Sequence, residues 1–237
     1  HQINMNLEKL NSLVELFFNQ YKEQNKNNAF LSSLKEPKKE FNWQETFDSV
    51  INVSKEISKY VSKSDRCLLI SENRPEWLIT DLSIMLSGSI TVPAYTTYAE
   101  RDYEFIIDDC EPSLVIVSNT EQYNKIKNIL KNKKFIKKLL SFEELKNVDQ
   151  NSYNNLENLF FKKNNFINEM PVLNIKRNET ACIIYTSGTQ GNPKGVMLSH
   201  GGILNNCEGA LEILKPLVTN QNRFLTWLPL SHSYEHT

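Results

Sequence analysis

Apolar residues recur at helical spacing through the first sixty positions. Leu7, Leu10, Leu13, Leu16, Phe17 and Tyr21 predict a helix within 7–25, and Trp43, Phe47, Val50, Ile51, Ile57 and Val61 predict another over 43–61. Residues 29–34 between them predict a short strand. From residue 67 onward, short continuous apolar runs alternate with amphipathic stretches. Residues 67–70, 90–94, 114–117 and 135–140 predict strands. A helix carrying Trp77, Leu78, Leu82, Met85 and Leu86 is expected to start from Asn73, with Glu76 three residues on and Pro75 in the first turn, and to stop at Gly88. Residues 101–109 and 121–132 predict two further helices. Strands so uniformly apolar suit a parallel sheet buried on both sides, so the expected class is α/β, with layered sheets and helices on both faces.

Residues 143–178 are polar, rich in Asn and Lys, and weakly patterned. They predict an irregular connection between a sub-block at 1–142 and another at 179–237. The second sub-block opens with a strand at 181–186, and continues with a helix at about 202–214 and a strand at 224–228. No internal repeat is present.

A chain of 237 residues with formal net charge −1 can bury a sizeable core. Its balance supplies no global field for nucleic acid. No apolar run reaches the length of a membrane span, and the start shows no signal-peptide core. Cys67, Cys110, Cys182 and Cys207 are far apart and form no CxxC, which points to buried hydrophobes in a reducing compartment, the cytoplasm, rather than to disulfides or a metal. The chain starts at His1 and ends at Thr237 inside a motif-like run, so it is expected to be part of a longer protein.

The candidate chemistry lies in YTSGTQGNPKGVMLSH, residues 185–200. Glycines let backbone N–H groups turn toward one centre and let that centre approach closely. Thr186, Ser187 and Thr189 add hydroxyls, and Lys194 adds a mobile positive charge. Convergent donors without an acidic partner suit a polyphosphate. This is not a Walker A loop, because Lys194 is followed by Gly195 where that pattern needs Ser or Thr. A glycine-rich surface turn is the bland alternative, and nine ordered positions behind a buried strand weigh against it.

Residues 185–200 resemble the signature of the adenylate-forming superfamily, which includes acyl-CoA synthetases, luciferases and nonribosomal-peptide adenylation domains. Gln190 departs from that pattern, which usually has Thr there, and one hydroxyl donor is lost. Two further stretches agree in order: Asn73–Trp77 followed by Thr91–Tyr95, and Leu228–His232. The ending LPLSHSYEHT is most similar to the long-chain fatty-acyl-CoA synthetase branch. The resemblance implies an incomplete adenylation domain over 1–237, with the C-terminal domain and its catalytic lysine beyond Thr237. It implies that Thr186, Ser187, Gly188, Thr189, Gln190, Gly191 and Lys194 bind ATP, and that Lys194 and His232 are catalytic. His232 would position the carboxylate and the α-phosphate and stabilise charge there. ATP, Mg²⁺ and CoA are implied, with Thr186 as a magnesium contact. Fatty acid is the expected substrate, nucleic acid is not an expected partner, and residues 1–237 alone are not expected to catalyse adenylation.

Rival readings come from other classes. His232, Glu235 and His236 spell H-x-x-E-H, the inverted zinc-peptidase signature, in which two histidines one turn apart share zinc and Glu235 is the general base. A peptidase leaves the upstream loop unexplained. A nucleotide-binding module without turnover is the non-enzymatic reading. Ser187 lies in no G-x-S-x-G elbow, which argues against a serine hydrolase. Ser199 and His200 are read as a helix N-cap and its neighbour. The seven lysines of residues 124–140 read first as a solvated helix face; contact with anionic lipid at the inner face of a membrane, or with CoA phosphates, is the functional alternative. Trp43, Trp77 and Trp227 are expected in cores.

Overall fold

The computed structural model describes residues 7–33, 38–164, 170–186 and 191–208, with 207 and 208 described by their backbone alone. A helical layer comes first. Helix α1 (Leu13–Glu23) starts where the Ser12 hydroxyl accepts from the Glu15 N–H at 3.1 Å. Strands β1 (Ala29–Ser32) and β2 (Glu40–Asn42) form a small antiparallel pair. Helix α2 (Trp43–Ser58) opens with a reciprocal box: Glu45 N–H donates to Asn42 Oδ1 at 2.7 Å, and Asn42 N–H donates to Glu45 Oε1 at 3.0 Å.

The alternating region follows as β3 (Arg66–Ile70), α3 (Pro75–Leu86), β4 (Ile90–Ala94), α4 (Glu100–Cys110), β5 (Leu114–Val117), α5 (Thr120–Ile126), β6 (Lys138–Ser141) and β7 (Asn154–Asn155). Strands β8 (Thr180–Thr186) and β9 (Lys194–Ser199) and helix α6 (His200–Glu208) complete the described chain. Seven strands form one sheet in the order β7-β6-β5-β3-β4-β8-β9, parallel throughout except for β9.

Alternate residues of each strand enter different cores. Cys67, Leu69, Leu114, Ile116, Cys182 and Ile184 face a first core shared with α1, α2 and α3. Leu68, Ile70, Val92, Val115, Val117 and Tyr185 face a second core with Tyr103, Ile106 and Ile107 of α4 and Ile126 of α5. The layers follow from the direction of travel. The chain steps from β3 to β4 one way through α3, then steps back past β3 to β5 through α4. Right-handed crossovers place those two helices on opposite faces. The return from β7 at one edge to β8 reverses direction again, and Leu156, Phe160, Met170, Leu173 and Ile175 pack along the first core on the way.

Three expectations shift. The cap of α3 is Arg74, not Asn73, and it makes no capping bond. Arg74 instead donates to Glu76 at 2.8 Å and Glu143 at 2.6 Å, with Glu76 2% exposed, so an ion-pair network fixes this turn. Pro75 does occupy the first turn. The stop at Gly88 holds: α3 ends at Leu86, and Gly88 at φ +78° completes a left-handed stop with Ser89 N–H on the Ile84 carbonyl. Helix α5 ends at Ile126, short of the expected 132, because Ile126 and Ile129 both enter the second core and the chain closes into tight turns reaching Asn132 at φ +64°. Strand β6 accordingly begins at Lys138, while Phe135 and Ile136 pack on the core before it. The expected strand at 224–228 and Trp227 lie outside the described residues; Trp43 and Trp77 are buried at 2% and 6% exposure. Cys67, Cys110 and Cys182 are buried free thiols, and burial pushes Cys110 up to about 12. Among the described residues, no helix is long and apolar enough to cross a membrane.

Candidate functional site

Strand β8 delivers the glycine-rich segment from a position fixed on both faces. Cys182 and Ile184 anchor it in the first core. On the other face Tyr185 is buried, its hydroxyl donates to Asp109 Oδ2 at 2.6 Å, and its carbonyl accepts from the Tyr98 hydroxyl at 3.2 Å. Burial, reinforced by the Asp109 carboxylate, raises the Tyr185 phenol and holds it protonated as the donor. The Tyr185 ring also explains a glycine. A Cβ on Gly195 would lie 3.1 Å from Tyr185 Cζ and 3.2 Å from Ile183 Cγ2. Gly195 therefore serves close packing of the two strands.

The segment is a hairpin, not a loop running directly into a helix. The sequence pattern does not disclose β9, which pairs antiparallel with β8 and ends with Thr186 opposite Lys194. The reason is that its residues are mostly exposed, Val196 and Met197 included, so no apolar alternation marks it. Helix α6 then starts at His200 rather than about 202. Thr186 and Lys194 are both exposed at the root of the connection 187–193. Gly191 has φ +100°, and a Cβ placed there would meet nothing within 4 Å, so its requirement is backbone shape alone. Ser187, Gly188, Thr189 and Gln190 lie outside the described residues, as do His232, Glu235 and His236.

The hairpin leaves the carboxyl end of β8, and β8 runs parallel to β4. It thus stands at the carboxyl edge of the parallel strands, where open α/β sheets hold ligands. An exposed hydroxyl opposite an exposed ammonium, beside a glycine turn, suits an anionic ligand and offers one contact to a metal. Further coordination of magnesium would come from phosphate oxygens and water. Among the described residues, no group of three or more His, Cys, Asp or Glu could hold a metal ion.

The far end of β9 is fastened as well. Ser199 Oγ accepts from Gly202 N–H at 3.0 Å, giving α6 its cap, as the sequence suggested. His200 is 2% exposed, and its Nδ1 accepts from Leu13 N–H at 3.3 Å. Burial lowers His200 to about 4, against an opposing pull from Glu179, so the ring is a neutral acceptor. Arg177 donates to the Leu7 carbonyl at 3.0 Å and to Asn205 Oδ1 at 2.8 Å, tying α6 to the chain start. Tyr98, Asp109 and Arg177 carry no motif, and only the packing reveals their part in holding the hairpin.

Comparison with known proteins agrees with this geometry. The chain is 30% identical over 204 residues to long chain acyl-CoA synthetase 3 of Arabidopsis thaliana, covering 81% of this chain and 30% of that protein. It is 30% identical over 191 residues to long-chain-fatty-acid–CoA ligase 5 of Mus musculus, covering 74% of this chain and 27% of that one. The chain thus spans about 30% of the length of the first of these relatives. Its fold is that of the anthranilate CoA ligase AuaEII, solved in complex with anthranoyl-AMP, with a TM-score of 0.70 at 20% identity over 83% of this chain and 36% of that one. A profile of the AMP-binding enzyme family matches residues 17–237, and with a hairpin of this design at the carboxyl edge of its sheet, the chain belongs to the AMP-binding enzymes.

Proposed function

We propose that the whole protein is an ATP-dependent acid–thiol ligase that activates a medium- or long-chain fatty acid and transfers it to CoA. The observation that carries this is the root of the hairpin, where Thr186 and Lys194 face one another at the carboxyl edge with the glycine-rich connection between them. The named relatives are long-chain acyl-CoA synthetases and ligases, which supports the fatty acid as substrate.

In the proposed reaction a carboxylate oxygen of the fatty acid bonds to the α-phosphorus of ATP. The bond from that phosphorus to the bridging oxygen breaks, and pyrophosphate leaves with the electron pair. The CoA sulfur then bonds to the acyl carbon, its proton is lost, and AMP leaves. Pyrophosphate gains charge as it departs, so donors fixed beforehand stabilise the transition state more than the ground state. Lys194, Thr186 and the backbone and hydroxyls of Ser187, Gly188, Thr189, Gln190 and Gly191 are assigned that task. Magnesium, when bound, screens phosphate charge, and Thr186 is the residue proposed to touch it through its hydroxyl. His232 is assigned to position the carboxylate and the α-phosphate, since a carboxylate nucleophile needs no base. We place the activity in the cytoplasm, where buried free thiols such as Cys67, Cys110 and Cys182 stay reduced.

The test is pyrophosphate release by the full-length protein across a panel of carboxylates, with and without CoA. Release that needs a fatty acid, with thioester formed only when CoA is added, is expected. Release with amino acids instead would replace this reading with peptide-type activation. Stoichiometric zinc with peptidase activity and no ATP dependence would replace it with the H-x-x-E-H reading.

A further inference from the structure

Residues 124–140 hold seven lysines and no acidic residue, in a chain of formal net charge −1. Three of the seven are engaged. Lys125 donates to Gln122 Oε1 at 3.0 Å and to the Thr96 carbonyl, Lys133 pairs with Asp108 at 2.5 Å, and Lys138 lies over the Tyr60 ring. Lys127, Lys131, Lys134 and Lys137 are exposed and, among the described residues, form no ion pair. The platform under them is ordered. Ile126 and Ile129 are buried in the second core, and Leu130, Phe135 and Ile136 are half-buried against it. Backbone bonds from Ile129 to Ile126 at 2.9 Å, Ile136 to Lys133 at 3.1 Å and Lys137 to Ser113 at 2.7 Å fix the turn.

This turn joins the end of α5 to the start of β6, at the amino end of the parallel strands. The hairpin stands at the opposite end, about four strand residues or ~13 Å along the sheet. A nucleotide held at the hairpin therefore does not explain the free lysines.

We propose that the lysine turn docks the protein on an anionic phospholipid surface, with Lys127, Lys131, Lys134 and Lys137 against the headgroups. Point-charge ammonium groups without any arginine suit a diffuse anionic plane better than planar base or phosphate recognition. The nearby rings, Tyr123 and Phe135, are packed against the second core rather than standing exposed as stacking platforms. Half-buried Leu130, Phe135 and Ile136 among long lysine stems match the boundary between headgroups and acyl chains. The inference goes beyond the ligase reading and does not depend on it.

The test is sedimentation of the full-length protein with vesicles, without ATP or acyl substrate, so its outcome is separate from that of the turnover assay. Binding is expected to phosphatidylcholine vesicles containing phosphatidylserine, not to phosphatidylcholine alone. It is expected to vanish in about 1 M salt, where the screening length is about 3 Å. Each lysine near such a surface strengthens association about fivefold, so the Lys127→Gln/Lys131→Gln/Lys134→Gln/Lys137→Gln variant should bind at least thirtyfold more weakly. Lys9→Gln/Lys22→Gln/Lys162→Gln/Lys163→Gln removes as much charge elsewhere and should change binding less than about threefold. Equal binding to both vesicle types, retention by the first variant, an equal loss in the second, or tighter binding to duplex DNA than to the anionic vesicles would overturn the proposal.

Discussion

Tyr185 and Asp81 lie against opposite faces of the same sheet. Tyr185, 3% exposed on the second-core face of β8, has a partner for its hydroxyl and another for its carbonyl. Asp81, on α3 against the first-core face near Cys182, is fully buried, and among the described residues neither carboxylate oxygen has a hydrogen bond of good geometry. The Thr91 hydroxyl faces it and only partly offsets burial, which raises Asp81 to about 7. Among the described residues, the hydroxyls of Thr80 and Thr91 likewise make no hydrogen bond of good geometry. Polar groups are paired where they hold the candidate hairpin in place. On the opposite face a charge is carried at a cost to stability.

That contrast can be broken by titration. Asp81 has its folded-state value raised above the unfolded value of 3.8, so its contribution is most favourable below about pH 4 and is lost as pH rises to about 7. Asp81→Asn should remove that loss, stabilising the protein at pH 8 by up to about 4 kcal/mol relative to pH 4, at about 1.4 kcal/mol per pH unit. Urea unfolding at a series of pH values measures it; an unchanged pH slope would mean Asp81 is paired after all. His200 acts with the opposite sign. Its folded value is lowered from 6.5 to about 4, so the unfolded chain binds the extra proton and stability is lost as pH falls through that window. His200→Asn keeps an acceptor for Leu13 N–H and should remove up to about 3 kcal/mol of that acid-side loss. The two windows overlap. Asp81→Asn should therefore steepen the rise of stability with pH between about 4 and 6.5, and His200→Asn should reverse it.

Smaller effects sharpen the other half. Gly195→Val drives a branched side chain into the Tyr185 ring and should cost about 1–3 kcal/mol, read as a fall in urea midpoint. Tyr98→Phe deletes one hydrogen bond to the Tyr185 carbonyl and should cost about 1 kcal/mol. If either variant matches wild type in stability while the other does not, the tyrosine pairing and the strand packing are separable supports.

The sequence disclosed what depends on local pattern. Runs such as Leu114–Val117 read as buried strands, and the helix of Trp43 and Phe47 forms where the apolar spacing puts it. It hid what depends on neighbours distant in the chain. Strand β9 is exposed and lacks alternation, Arg74 spends its side chain on Glu76 and Glu143 instead of a cap, and α5 yields to the burial of Ile129. At the candidate site, Thr186 and Lys194 were legible as residue types, yet their pairing across a hairpin was not. The Tyr98–Tyr185–Asp109 chain joins β4–α4, β8 and α4, and no spacing rule connects those positions.

The central claim is that Lys194 and its neighbours at the hairpin grip the phosphate tail of ATP during fatty-acid activation. Fatty-acid-dependent ATP–pyrophosphate exchange by the full-length protein and its Lys194→Ala variant tests it most directly. The account predicts a rate loss at or below the range of about 2.7–4 kcal/mol seen when one such donor is removed, with an unchanged urea midpoint, because Lys194 is exposed and other donors remain. Exchange at the wild-type rate in the variant would contradict it.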